Sequence, residues 1–157
     1  MFNLQLISPS FTIMFPFNVR VYAIIENTNK EILLSKELIQ GQYVTKFPGG
    51  GLEFGEGTVA CLHRELQEEL QQQPTQCDHF YTTDFFVQSA WNAQQQVISI
   101  YYKVSLANYA AVVTNQPVPG SFNNNNEIFY WVPISEAHAW VHLPIDVHVV
   151  KKLQNLG

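Results

Sequence analysis

Apolar positions along this chain follow two periods, and the change between them divides it. The stretch "VRVYAIIEN" (Val19 to Asn27) is rich in β-branched and aromatic residues, which predicts a strand. "TNK" predicts a turn, with "EILLSKEL" as the hairpin partner of that strand, and "YVTKF" a short strand stopped by Pro48. "PGGGLEFGEG" (Pro48 to Gly57) carries five glycines and reads as a loop. Then Val59, Leu62, Leu66 and Leu70 recur at helical spacing and make one narrow apolar stripe. Thr58 or Glu56 can serve the start of that helix, and Pro74 stops it. "DHFYTTDFFVQ" and "QVISIYYKVSL" predict two long strands joined through "SAWNAQQ". "NQPVPGSFNNNN" reads as a loop and "EIFYWV" as a strand. "PISEAHAW" places Pro133 at a first helical turn, and "PIDVHVVKKLQNL" forms a last amphipathic helix. The elements describe an α/β domain, a mixed sheet covered by helices.

Composition narrows this picture. With 157 residues, the chain reads as a single domain over residues 1–157 with room for a proper core. Hydrophobic residues make up 46% and charged residues 13%, which argues against disorder. The net charge is −5 and the eight Lys and Arg are scattered, so no basic footprint for a nucleic-acid polymer is visible. Two cysteines, Cys61 and Cys77, are too few for a disulfide scaffold and match no metal spacing. The apolar N-terminus lacks an early cation and is broken by Pro9 and Pro16, so it reads as strand and loop rather than a signal peptide. No run approaches the roughly 20 apolar residues of a membrane span. A soluble, cytoplasmic protein without membrane contact is the expectation.

The chemistry concentrates in "HRELQEEL". Glu65, Glu68 and Glu69 crowd one helical turn in a chain otherwise poor in charge. With Val59 at 0°, they fall at about 240°, 180° and 280°, on the side away from the apolar stripe. Like charges at this spacing repel by a few tenths of a kcal/mol per pair. Arg64, four residues before Glu68, relieves one acid. A solvated helix face is the plain explanation. Against it, the acids directly follow a glycine-rich loop, and clustered carboxylates are what a hard divalent cation requires.

The segment resembles the Nudix box, the signature of the Nudix hydrolase superfamily (MutT-like). Gly50, five residues, Glu56, seven residues, then Arg64, Glu65, Leu66, Gln67, Glu68 and Glu69 reproduce its spacing. Pro48-Gly49-Gly50, Glu53 and Gly55 fit its extended form. The pattern's closing glycine and aliphatic residue are Gln71 and Gln72 here. Either Gln71 takes the left-handed conformation at a cost of about 1 kcal/mol, or the helix runs on toward Pro74. "NEIFYWVPISEA" is similar to the family's late strand and short helix.

The resemblance implies a Nudix-type α/β/α sandwich with a mixed central β-sheet and the box helix mid-chain. It implies hydrolysis by water of a nucleoside diphosphate linked to another moiety, a small-molecule nucleotide substrate. Glu65, Glu68 and Glu69, with the carbonyl of Gly50, would hold Mg²⁺, or Mn²⁺ in its place. Arg64 would orient the acids, and Glu56 would pair with it or reach a metal through water. Glu65 and Glu127 are the two candidates for the general base. Arg20, Lys36 and Lys46 are the cations placed to bind phosphate. Specificity would reside outside the box, in the N-terminal eighteen residues, the "WNAQQQ" turn and the "PVPGSFNNNN" loop. The family often forms dimers, and the apolar N-terminal strand suggests a homodimer paired through it.

Two other readings compete: a non-catalytic Nudix-fold module that binds a nucleotide or partner, and a structural domain with an acidic helix face. The intact acids oppose the first, and the Pro-Gly-Gly loop at fixed distance opposes the second. His138 and His142 stand at zinc-like spacing, but Ala139 replaces the glutamate of the metalloprotease motif. Cys61 reads as a buried small hydrophobe. Phe54, Trp91 and Phe122 could stack a base, but packing in the core or rim suits them better, and Trp131 reads as core.

Overall fold

The computed structural model describes residues 16–115 and 127–156. Strands β1 (Phe17–Ile25), β2 (Glu31–Ile39), β3 (Gln42–Lys46) and β4 (Gly49–Gly51) precede helix α1 (Thr58–Leu70). Strands β5 (Pro74–Thr82), β6 (Gln96–Leu106) and β7 (Ile128–Pro133) and helix α2 (Pro144–Gln154) follow. One sheet has the order β4-β1-β6-β5 and the other β3-β2-β7. β1 and β6 run parallel, and every other pair is antiparallel.

The near-continuous apolar run of β1 has two customers. Val21, Ala23 and Ile25 join Leu33, Phe129, Cys61, Leu62, Leu66 and Leu70 in a core under α1. The alternate residues Tyr22 and Ile24 join Tyr101, Phe47, Val149, Val150 and Leu153 in a core under α2. Period-2 alternation in the strands thus feeds two helices on opposite faces. The result is the expected α/β/α sandwich.

Several expectations are corrected. β2 is not the hairpin partner of β1. The two meet only at the Glu26–Ile32 bridge, and β2 instead pairs with β3 and β7. The glycine loop holds strand β4, because Gly49 to Gly51 register against Tyr22 to Arg20. The strand expected from Asp78 begins at Pro74 and ends at Thr82. A leading proline suits an edge; past Thr82 the Thr83 N–H still donates to Ser99 O at 3.0 Å, while the Thr83 hydroxyl accepts the Ser99 N–H at 2.9 Å. Pro133 closes β7 rather than opening a helix. The segment after it forms turns and one 3₁₀ turn, Ala137–Ala139. α1 has no side-chain N-cap. Its Thr58 hydroxyl lies 2.7 Å from Tyr102 Oη, and Glu56 is engaged elsewhere. At its other end Gln71 adopts φ 56°, and its N–H closes on Gln67 O, so the helix stops without a glycine. The expected N-terminal strand before residue 16, Phe122 and the Pro- and Asn-rich loop lie outside the described residues.

Candidate active site

The buried face of α1 is rotated from the stripe the sequence suggested. Cys61, Leu62, Leu66, Glu69 and Leu70 are buried, whereas Val59 is 43% exposed. On a helical wheel these buried residues centre near 290°, so Glu69 at about 280° falls inside the buried face. Glu65 lies at its margin and Glu68 outside. The three acids therefore occupy three depths, with side-chain exposures of 7% for Glu69, 14% for Glu65 and 47% for Glu68.

Arg64 gathers the shallow part of the site. Its Nη2 donates to Glu56 Oε1 at 2.6 Å and its Nε to Glu56 Oε2 at 3.1 Å, a fork-on-fork pair. Nη1 donates to Glu65 Oε1 at 2.9 Å, and Nη2 also reaches Gly51 O at 3.1 Å. One guanidinium thus ties the end of the glycine loop to the helix acids. The Arg64 bonds, with the Glu53 N–H, pull the Glu56 carboxyl down to about 2. Burial pushes the Glu65 carboxyl above the usual range, against the opposing pull of Arg64.

Lys46 gathers the deep part. Its register with Ser35 puts it on the same face of its sheet as Glu37, and Glu127 continues that face from the start of β7. Its ammonium lies 3.4 Å from Glu37 Oε2, 3.5 Å from Glu127 Oε1 and 3.8 Å from Glu69 Oε1, and donates to Gly49 O at 3.3 Å. Glu69 Oε2 in turn accepts the Gly49 N–H at 2.9 Å. Burial alone would lower the Lys46 pKa, but Glu69 and then Glu127 more than offset it and hold the charge. Burial raises the Glu69 carboxyl well above its ordinary range despite Lys46.

The glycines permit this closeness. At Gly49, φ is 129° and a β-carbon would strike the Val21 carbonyl oxygen. At Gly50 it would overlap the Glu65 carboxylate. Gly50 faces Val21 between two flanking bonds, Ala23 N–H to Pro48 O and Leu52 N–H to Val19 O. Alternation along an antiparallel pair assigns the Gly50 carbonyl to that ladder. The loop carbonyls turned toward the acids' cations are those of Gly49 and Gly51.

Arg20, whose guanidinium lies near Gly51, lines a small cavity of about 60 Å³ between the first sheet and the start of α2. Tyr22, Tyr101, Trp91 and Ile145 form apolar walls, and Arg20 and Asp146 are the charged groups lining it. Asp146 is 2% exposed. Its Oδ1 accepts the Tyr101 hydroxyl at 2.6 Å, while its Oδ2 is buried with no hydrogen-bond partner among the described residues. Arg20 Nε donates to Tyr22 Oη at 2.6 Å and makes no ion pair among the described residues.

The structure thus brings together Glu65, Glu68, Glu69, Arg64, Glu56, Gly50, Lys46 and Glu127, with Arg20 at the adjoining cavity. It does not bring Lys36, which points to the opposite face of its sheet from Glu37 and lies over the Tyr43 ring at 5.1 Å. Lys46 is present but enclosed by oxygens, so it is not offered to phosphate. Sequence reasoning missed Glu37 and Asp146. An aspartate inside the apolar run "LPIDVHVV" was the available signal for the latter. Trp91 lines the cavity, Phe54 is fully exposed rather than packed, and Trp131 is partly buried at a core edge. His138 and His142 are exposed and lie outside any α-helix. Cys61 is buried, and burial pushes its thiol up to about 12.

The donor set suits a hard divalent cation: carboxylates and backbone carbonyls only, with Glu127 Oε1 buried and lacking a hydrogen bond. No group of three or more acids, His or Cys is already drawn into a metal cage among the described residues. Arg64 and Lys46 hold the carboxylates instead.

A glycine strand laid against a glutamate-rich helix, inside an α/β/α sandwich, defines a domain of the Nudix type. The family model of the NUDIX domain matches residues 16–153, and the chain belongs to that family of hydrolases. Its fold is similar to a MutT structure from work on Aliivibrio salmonicida and Vibrio cholerae, at 22% identity and TM-score 0.67, covering 90% of this chain and 99% of that one. It is also similar to a NUDIX hydrolase from Nitrosomonas europaea, at 20% identity and TM-score 0.68, covering 88% of each. A 54-residue segment is 37% identical to the RNA pyrophosphohydrolase of Ruthia magnifica subsp. Calyptogena magnifica, which is 34% of this chain and 29% of that protein. This chain therefore spans under a third of that relative's length. No helix among the described residues is long and apolar enough to cross a membrane.

Proposed function

We propose that this protein hydrolyses a nucleoside diphosphate linked to another moiety, using Mg²⁺ or Mn²⁺ held by Glu65, Glu68 and Glu69 with a loop carbonyl of the glycine strand. The observation that carries the reading is that Glu69 and Glu65 meet that strand at Gly49 and Gly50, with Glu68 joined to them through Arg64. A cation bound there would neutralise phosphoryl oxygens and lower the pKa of a bound water. The chain's own groups do the rest. Arg64 locks Glu65 and Glu56 against the loop. Glu65 is the favoured proton acceptor, because it stands at the Gly50 backbone with part of its carboxylate exposed, and burial raises its pKa above the ordinary carboxylate value. Glu127 is enclosed with Lys46 and suits that role less. Arg20, free of ion pairs among the described residues, supplies positive charge at the cavity mouth. The cavity offers Tyr22, Tyr101 and Trp91 as apolar walls against which a base could lie, with Asp146 as the polar group at the start of α2. Water adds to one phosphorus, the bridging P–O bond breaks, and the substrate leaves as two phosphate-bearing products.

The test is Mg²⁺-dependent product release across nucleoside triphosphates, nucleotide sugars, ADP-ribose and dinucleoside polyphosphates. The name of the RNA pyrophosphohydrolase relative adds RNA to that panel. At least one substrate should turn over, and Glu68→Gln should lower its kcat by about 10²-fold or more, as for loss of a group acting in the transition state. A silent panel, with wild type and Glu68→Gln alike, would sink the hydrolase reading and favour a binding module.

A further inference from the structure

Lys46 sits where its charge is hardest to explain. It is the last residue of β3, its side chain is 4% exposed, and its ammonium faces the acids rather than the surface. Its ammonium touches four oxygens: Gly49 O at 3.3 Å, Glu37 Oε2 at 3.4 Å, Glu127 Oε1 at 3.5 Å and Glu69 Oε1 at 3.8 Å. These are the donor types that hard divalent cations select. One of them, Glu69, belongs to the proposed metal site, and Gly49 belongs to the glycine strand beside it. Three carboxylates face one ammonium, and Glu127 Oε1 has no hydrogen bond despite its burial. A buried carboxylate oxygen without a hydrogen bond is costly, and the Lys46 ammonium at 3.5 Å is the charge that offsets it. Oxygens at 3.3–3.8 Å stand further out than the roughly 2.0–2.1 Å of Mg²⁺ coordination. They are spaced for an ammonium or for an ion that keeps its waters.

We propose that Lys46 is a resident cation: its ammonium occupies the oxygen cage of Gly49, Glu37, Glu69 and Glu127 in place of a divalent ion. The chain then exchanges metal only on the shallow side, at Glu65 and Glu68, with Glu69 shared between the two. Lys46 is a positioning residue, holding Glu69 and Glu127 in register with the loop without touching substrate. The inference rests on the metal-dependent reading above, but its measurement is separate.

Mn²⁺ bound per chain is counted by equilibrium dialysis for wild type and Lys46→Met, which keeps an unbranched side chain one atom shorter and removes the charge. The variant should bind one more Mn²⁺ than wild type, and Mn²⁺ should raise its Tm more than it raises that of wild type. Equal counts and equal Tm gains overturn the proposal. Should Lys46→Met fail to fold, Lys46→Met with Glu127→Gln removes one charge of each sign, and the same count is taken on it. Wild type itself gives the second arm, through anomalous scattering from a crystal grown in Mn²⁺. Lys46 in place, with no peak among Gly49 O, Glu69 and Glu127, supports the proposal. A peak there with Lys46 swung away overturns it. A silent substrate panel would end the hydrolase reading and leave these counts intact.

Discussion

At the scale of single residues, charge in this protein is set by burial as much as by neighbours. Arg64 and Glu56 are the simple case, a forked pair near the surface. Asp146 is the opposite case, a carboxyl at the foot of an aromatic cavity. Burial pushes it from an ordinary value of 3.8 up to about 6, and the Tyr101 hydrogen bond only partly opposes this. A folded-state pKa above the unfolded one means that the native state holds the proton more tightly. Its contribution to stability is therefore complete below the unfolded pKa and is lost as pH rises through about 6. Two units correspond to about 3 kcal/mol. Asp146→Asn keeps the Oδ1 acceptor for Tyr101 and removes the charge. Relative to wild type it should gain up to about 3 kcal/mol as pH is raised from 4 to 8. Urea unfolding of both proteins at several pH values measures that difference, and a difference flat with pH would show that Asp146 does not carry the buried charge. The same substitution tests the cavity, because a base held against Asp146 would change KM more than kcat.

At the scale of elements, α1 shows what sequence periodicity reveals and where it stops. The helix was legible from Val59, Leu62, Leu66 and Leu70, and its acids from their spacing after the glycine strand. Its rotation was not, because which arc of a helix is buried depends on the sheet beneath it. The sheet takes Cys61 and Glu69 in place of Val59. The β1–β2 hairpin failed for a related reason, since a short turn looks the same whether the next strand pairs back or crosses to a second sheet. Pairings of long sequence separation, such as Lys46 with Glu69 and Glu127, leave no local trace. The helix end was legible as a choice between two outcomes, and the left-handed Gln71 decides it. This carries a prediction. Gln71 is exposed and holds φ 56°, a conformation that costs a residue with a β-carbon about 1 kcal/mol and glycine far less. Gln71→Gly should therefore stabilise the protein by about 1 kcal/mol and raise Tm by roughly 3 °C. An unchanged or lower Tm in thermal unfolding would mean that the Gln71 side chain compensates for its backbone.

At the scale of the whole molecule, the two sheets form one layer between two cores, and β1 belongs to both. Val21, Ala23 and Ile25 serve α1 while Tyr22 and Ile24 serve α2, so neither core can loosen without exposing a strand the other needs. The site depends on this sharing. Its acids come from α1, its internal cation from β3 and Glu37 from β2, while the cavity is closed by α2 on the far face. A chain whose halves melted separately would hold the acids or the cavity, but not both together. Leu66 in the α1 core and Leu153 in the α2 core are 0% and 5% exposed. Truncating either to alanine should cost about 2–5 kcal/mol. Each should shift one cooperative transition to lower urea with its slope unchanged. Tryptophan fluorescence reads Trp131 at the edge of one core and Trp140 against the other, and far-UV circular dichroism reads the backbone. Coincident curves for wild type and both variants are the outcome a shared sheet requires. Biphasic unfolding, with Leu66→Ala moving one phase and Leu153→Ala the other, would mean that β1 does not couple the cores and that the site and its cavity are held independently.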